Sequence, residues 1–184
     1  MADGVFTVIV VTPEERLLDV AARGLVLRTS DGELTILDGH TPLVTDVVPG
    51  DVRVDVDEGE PVHLAVHGGF LQVETGTGLD GTGLDGEGDS GDEGVKSERS
   101  TRATLLAGIA ELSDRIDVPR AQEAKATAEV RVEELRAAGR TSGSANSTAS
   151  ADGEPLTAED VELASAEAAL RRAEVRLEVA GVTA

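Results

Sequence analysis

Asp51-Val-Arg-Val-Asp-Val56 alternates charged and apolar residues at every step. A period of two puts Val52, Val54 and Val56 on one face and Asp51, Arg53 and Asp55 on the other, so the run reads as a strand with one buried and one wet face. Pro49-Gly50 precedes it as a turn signal. Other short runs lie on either side. Val5-Phe-Thr-Val-Ile-Val-Val11 is rich in β-branched residues and ends at Thr12-Pro13. Gly24-Leu-Val-Leu-Arg28 leads into the turn Ser30-Asp31-Gly32, and Glu33-Leu-Thr-Ile-Leu37 closes on Asp38-Gly39. Leu43 to Val48, Val62 to Val66 and Phe70 to Val73 complete the set. Many short strands at this spacing predict a sandwich or barrel.

The composition limits what such a domain can do. The chain has 184 residues, 40% hydrophobic, with no Cys, Trp or Tyr and only two Phe. Its core must be packed from Val, Leu, Ile and Ala, and aromatic platforms for stacking bases are almost lacking. The formal net charge is −20. An average surface of that sign repels a phosphate backbone and disfavours anionic lipid, so neither nucleic acid nor direct membrane insertion is expected. The acidity itself bears on solubility and salt tolerance rather than on fold. The apolar run at Val5–Val11 is short and lacks a basic flank, which argues against a signal peptide or a span.

Residues 76–101 change character. Gly and acidic residues dominate, with the unit Gly-Thr-Gly-Leu-Asp in tandem from Gly76. We read this stretch as a flexible acidic insertion in the last hairpin, because nothing in it supports a packed core. Ala103-Thr-Leu-Leu106 resumes strand composition. From Asp117 the period turns helical: Ala121, Ala124, Ala128, Val132 and Leu135 recur at threes and fours, after Asp117 as N-cap and Pro119 in the first turn. A polar Gly/Ser linker is assigned to 139–155. Thr157-Ala-Glu-Asp160 resembles a capping box, and Leu163, Ala166, Leu170, Ala173, Leu177 and Ala180 form a second stripe. Small stripe residues let helix axes approach closely, which predicts an antiparallel αα-hairpin of modest stability. The fold class is therefore α+β: an N-terminal antiparallel β-sandwich of about ten strands, residues 1–112, and a helical hairpin, residues 113–184.

Catalytic chemistry finds no constellation. The Gly-rich tract matches G-x-G-x-x-G twice, but no helix follows and Asp80, Asp85 and Glu87 would repel phosphate. Asp85, Glu87 and Asp89 open like a calcium loop, yet Ser90 and Lys96 stand where Gly and Glu are required. His63 and His67 on one strand would stand ~13 Å apart, too far to share a metal. No catalytic residue, metal site or required cofactor is expected. Arg172 and Arg176 lie one helical turn apart, where they could bridge to neighbouring carboxylates or hold an anion.

Several stretches together resemble the epsilon subunit of F-type ATP synthases, called delta in mitochondria. They are Val11-Thr-Pro-Glu14, Asp31-Gly-Glu-Leu-Thr-Ile-Leu-Asp-Gly-His-Thr-Pro-Leu43, Pro49-Gly-Asp-Val-Arg-Val54, Gly68-Gly-Phe-Leu-Gln-Val73, Thr104-Leu-Leu106, Ala110-Glu-Leu112 and Ile116-Asp-Val-Pro-Arg-Ala121. The resemblance spans nearly the whole chain apart from the two inserts. It implies a β-sandwich with a C-terminal helical hairpin in a central rotor stalk, peripheral to the cytoplasmic face of the cell membrane. It further implies contacts of the sandwich with the gamma subunit and the c-ring, with Glu33 and His40 in the contacting block. The hairpin would extend toward the alpha–beta hexamer and restrain ATP hydrolysis. Some members bind regulatory ATP, and by resemblance the residues here would be Glu111, Ile116, Asp117, Arg120, Ala121, Arg172 and Arg176. Asp38 and Thr41 depart from the residues common in the family. The alternatives are a free-standing ATP-sensing module outside any synthase, and an enzyme with a sandwich active site.

Overall fold

The computed structural model describes residues 4–77, 99–142 and 158–181. The chain divides into two compact units, Met1–Glu111 and Leu112–Ala184. The first carries nine strands among the described residues: β1 (Phe6–Val11), β2 (Arg16–Thr29), β3 (Gly32–Ile36), β4 (Leu43–Val47), β5 (Gly50–Val56), β6 (Val62–Val66), β7 (Gly69–Thr77), β8 (Arg99–Ala107) and β9 (Ala110–Leu112). They form an open sandwich whose hydrogen-bonded path runs β4-β7-β8-β1-β2-β5-β6-β9, with β3 beside β2. All pairs detailed below are antiparallel except β1 with β8, which is parallel. The expected sandwich is thus present.

The charged–apolar alternation of Asp51–Val56 holds in β5. Val52 and Val54 are buried to within 1% while Arg53 between them is exposed. Facing them from other strands are Phe6, Val8 and Val10, Leu25 and Leu27, Ile36, Leu64 and Val66, Leu71 and Val73, and Leu105, all nearly inaccessible. Phe6 is the only aromatic side chain in this core. Each fully buried aliphatic side chain contributes roughly 1.5–3 kcal/mol against exposure. The unit therefore needs no aromatic mass to close.

One strand is longer than its pattern suggests. The sequence reading begins a strand at Gly24, whereas β2 begins at Arg16. It pairs with β1 through Arg16–Ala22 and then with β5 and β3. The β2–β5 register shifts between Ala22 and Gly24, leaving Arg23 as an extra residue. Inward positions switch there from even, Ala22, to odd, Leu25, Leu27 and Thr29. A bulge of this kind bends a strand and re-aims its side chains. The β1–β2 register shifts as well, leaving Leu17 as an extra residue beside Leu18, so the first half of β2 lacks a clean period of two.

Two boundaries are corrected. The β7–β8 ladder continues through Thr75↔Thr101, Gly76↔Ser100 and Thr77↔Arg99. The ends of the segment assigned to insertion, 76–77 and 99–101, are strand; the acidic repeats from 78 to 98 lie outside the described residues. His67 follows the end of β6, so it does not share a strand with His63. His63 instead places Nδ1 2.9 Å from Asp51 Oδ2 on the neighbouring strand.

The second unit begins with a 3-10 turn, Ser113–Arg115, and contains α1 (Val118–Ser142) and α2 (Ala158–Val179), which pack as a hairpin. Asp117 caps α1: its Oδ1 accepts the Arg120 N–H at 3.1 Å. The helix runs on through Gly139, Arg140, Thr141 and Ser142, so the first four residues of the assigned linker are helical. Thr157 of the expected capping box lies outside the described residues. Gly181 closes α2 with φ +73° while its N–H donates to Glu178 O at 3.0 Å. Ala121, Ala128 and Val132 are buried as their spacing predicts, and so are Ala166, Ala173 and Leu177. Ala124 is exposed, and Val175, off the stripe, is fully buried.

Candidate functional site

The sandwich presents an outer face where β4, β7, β8 and β1 lie side by side, its apolar residues set among Asp46, Gln72 and Thr104. Register places Phe70 opposite Leu106, and Leu106 opposite Val11. The adjacent row runs Val44, Gln72, Thr104, Ile9. The residues between these rows, Leu71, Leu105 and Val10, point inward and are buried. The outward ones are not: Val44 is 70% exposed, Phe70 61% and Leu106 48%. Scattered exposed aliphatics are ordinary, but a contiguous cluster centred on an aromatic marks an interaction surface. In a chain with two phenylalanines, one of them spent on the surface is informative.

Phe70 is held in place by the glycines before it. Gly68 has φ +112° and Gly69 φ +157°. A Cβ on Gly69 would fall on the Leu106 carbonyl oxygen. The close approach of the two backbones therefore requires glycine there, and it sets Phe70 directly against Leu106.

Glu33 and His40 lie toward opposite ends of β3. Glu33 is exposed on β3, opposite Arg28 of β2. His40 sits in the turn after β3, with its N–H donating to Leu37 O at 3.1 Å. Its ring Nδ1 lies 2.8 Å from Thr41 O. The turn is fastened from outside by two threonines. Thr75 donates its hydroxyl to His40 O at 2.7 Å, and the Gly39 N–H donates to Thr101 Oγ1 at 2.8 Å. Thr75 and Thr101 face each other across the β7–β8 ladder. Their role was missed in the sequence, because both fall beside or inside the segment assigned to insertion.

The motif residues of the hairpin are placed as follows. Ile116 is 9% exposed and Ala121 2%. Asp117 acts as the helix cap, and Arg120 is exposed. Arg172 and Arg176 are half-buried on one face of α2. Glu111, on β9, belongs to the first unit and is half-buried. Between α1 and α2 lies a groove of about 470 Å³, floored by Ala124, Ala128, Ala166 and Ala169 and edged by Arg120, Glu123, Thr127 and Arg131. Of the motif residues, Arg120 alone lines it.

Comparison with known proteins places this geometry. Residues 5–77 match the family described as ATP synthase, Delta/Epsilon chain, beta-sandwich domain. The ATP synthase epsilon chain of Symbiobacterium thermophilum is 34% identical over 182 residues, covering 98% of this chain and 95% of that one. The chain belongs to the ATP synthase epsilon-chain family. The epsilon chain of Desulforudis audaxviator is 33% identical over 132 residues, covering 72% of this chain and 77% of its own length. A chain in the structure of the Euglena gracilis mitochondrial ATP synthase, OSCP/F1/c-ring, superposes with a TM-score of 0.59 at 18% identity, covering 97% of this chain and 84% of that one. At that identity the likeness concerns the fold. The family drawn from the Asp31–Leu43 and Gly68–Val73 blocks is the family found, and it is one of ATP synthase subunits. No helix among the described residues is long and apolar enough to cross a membrane.

Proposed function

We propose that this chain is the non-catalytic epsilon subunit in the central stalk of a proton-translocating F-type ATP synthase. Its β unit seats on the gamma subunit and the c-ring, helping to pass ring rotation to the catalytic head. Its helical hairpin restrains ATP hydrolysis when it extends toward the alpha–beta hexamer. The subunit then lies at the cytoplasmic face of the cell membrane, held there by its partners. The observation that carries the reading is the exposed face built on Val44, Phe70 and Leu106. An exposed apolar cluster of this kind is one a partner would cover, and we assign it to gamma. Strand β3 with Glu33 and the turn with His40 are assigned to the c-ring.

The test is assembly. A tagged chain should bring down gamma and c subunits from solubilised membranes, and Val44→Ser/Phe70→Ser should reduce the yield of gamma at least tenfold. Unreduced recovery of gamma by that variant sinks the face assignment. Recovery of no synthase subunit by the unaltered chain sinks the stalk reading and favours a free-standing sensor.

Regulatory ATP on the hairpin is part of the same proposal. Two half-buried arginines one turn apart suit a polyphosphate, since Arg offers a fork to phosphate oxygens. Titration with ATP should show saturable binding, weakened at least tenfold by Arg172→Ala/Arg176→Ala. Equal affinity in that variant would remove the site.

A further inference from the structure

Ion pairs cross from α1 to α2. Arg131 Nη2 lies 2.9 Å from Glu162 Oε2, and Arg136 Nη2 lies 2.8 Å from Glu167 Oε1. Both belong to the half of the hairpin nearest residues 142 and 158, here called its tip. Apolar cover there is mixed: Val132 is 4% exposed and Ala166 9%, but Leu135 and Leu163 are half-buried, Val130 is 60% exposed and Val161 54%. The other end differs. Ala121 in the first turn of α1 and Ala173, Val175 and Leu177 in the last turns of α2 are all 5% exposed or less. Apolar burial is most complete in the last turns of α2, and toward the tip exposed charge pairs are added to a thinner apolar seam.

These two kinds of contact respond oppositely to salt. Exposed ion pairs weaken as the Debye length falls from about 10 Å at 0.1 M to about 3 Å at 1 M. Apolar burial does not weaken with added sodium chloride. We propose that the tip of the hairpin is an ionic-strength-sensitive latch: rising salt opens the Arg131–Glu162 and Arg136–Glu167 end while the base stays packed. The inference goes beyond assembly in a synthase and does not depend on it. It gives the helices a way to part in stages without a ligand.

The sign of the effect is diagnostic. In a chain of net charge −20, screening would by itself relieve repulsion and tighten every part of the fold. A latch made of the two pairs requires the reverse at the tip. The experiment is amide hydrogen exchange on the full chain from 0.05 to 1 M sodium chloride. Exchange over residues 130–139 and 160–168 should accelerate about three- to tenfold, with less change over 121–127 and 172–178. Arg131→Gln/Arg136→Gln should exchange fast at the tip already in low salt, with a flat response. Arg136→Glu should open the tip further, and adding Glu167→Arg should restore protection. Salt-slowed or uniform exchange in the unaltered chain overturns the proposal. So does a full salt slope in Arg131→Gln/Arg136→Gln, or no rescue by the reversed pair.

Discussion

Thr101 is 1% exposed and is the acceptor for the Gly39 N–H. Replacing it by Val keeps the shape and deletes the acceptor. A donor left without its partner costs about 1–3 kcal/mol, so Thr101→Val should lower stability by that amount in urea unfolding. The Gly39 amide should also lose protection from exchange. Gly69 tolerates less. A methyl group there would meet the Leu106 carbonyl, with Ala107 Cα 3.0 Å away. Both are backbone atoms and cannot swing aside. Gly69→Ala should cost more than ~2 kcal/mol and move Phe70 off its cross-strand partner, read as a fall in melting temperature and a changed Phe70 ring environment by NMR. Asp117 carries two candidate roles, cap and nucleotide ligand. As a cap, Asp117→Ala costs about 1 kcal/mol of helix stability and Asp117→Ser or Asn largely restores it. Circular dichroism and ATP titration on those variants separate the roles: Ser rescues a cap, not a charged ligand.

Among the elements, β7 and β8 show how a long insertion is carried. Their ladder closes with Thr77 opposite Arg99. A directly opposed pair can be joined by a two-residue turn. Replacing residues 78–98 by Asn-Gly should therefore leave the sandwich folded and raise its stability by up to about 2 kcal/mol through a shorter loop. Calorimetry checks this, and a loss of cooperative unfolding would show that the segment does more than connect. β2 teaches a different lesson. Its bulge at Arg23 lets one strand run from β1 to β5, and a second irregularity at Leu17 hid its first half from a period-two reading. In α1 and α2 the threes-and-fours spacing located the helices and most buried positions. It missed Val175 because a stripe describes one face only. α1 continues four residues into a stretch whose Gly and Ser composition reads as linker, against the low helical propensity of Gly139, Thr141 and Ser142.

For the whole molecule, the test of the exposed sheet face is that fold and assembly separate. Val44 and Phe70 have little packing to lose, so Val44→Ser/Phe70→Ser should shift the isolated chain's stability by less than about 1 kcal/mol while removing gamma from the purified complex. A large stability loss would mean that the face serves folding instead. The sequence by itself determined the two-part architecture, since strand and helix periods follow directly from where apolar residues fall along the chain. It also determined the family, through ordered blocks whose glycines and turn residues are demanded by local backbone geometry. What the tertiary structure alone decided were relations between residues distant in sequence. Register aligned Phe70 with Leu106 and Val11, Thr75 with Thr101, and the Arg131 and Arg136 heads with glutamates on the second helix. The reason is physical. A period reports which face of its own element a residue occupies, whereas a surface patch, a clasp or a latch exists only once separate elements have been brought into register.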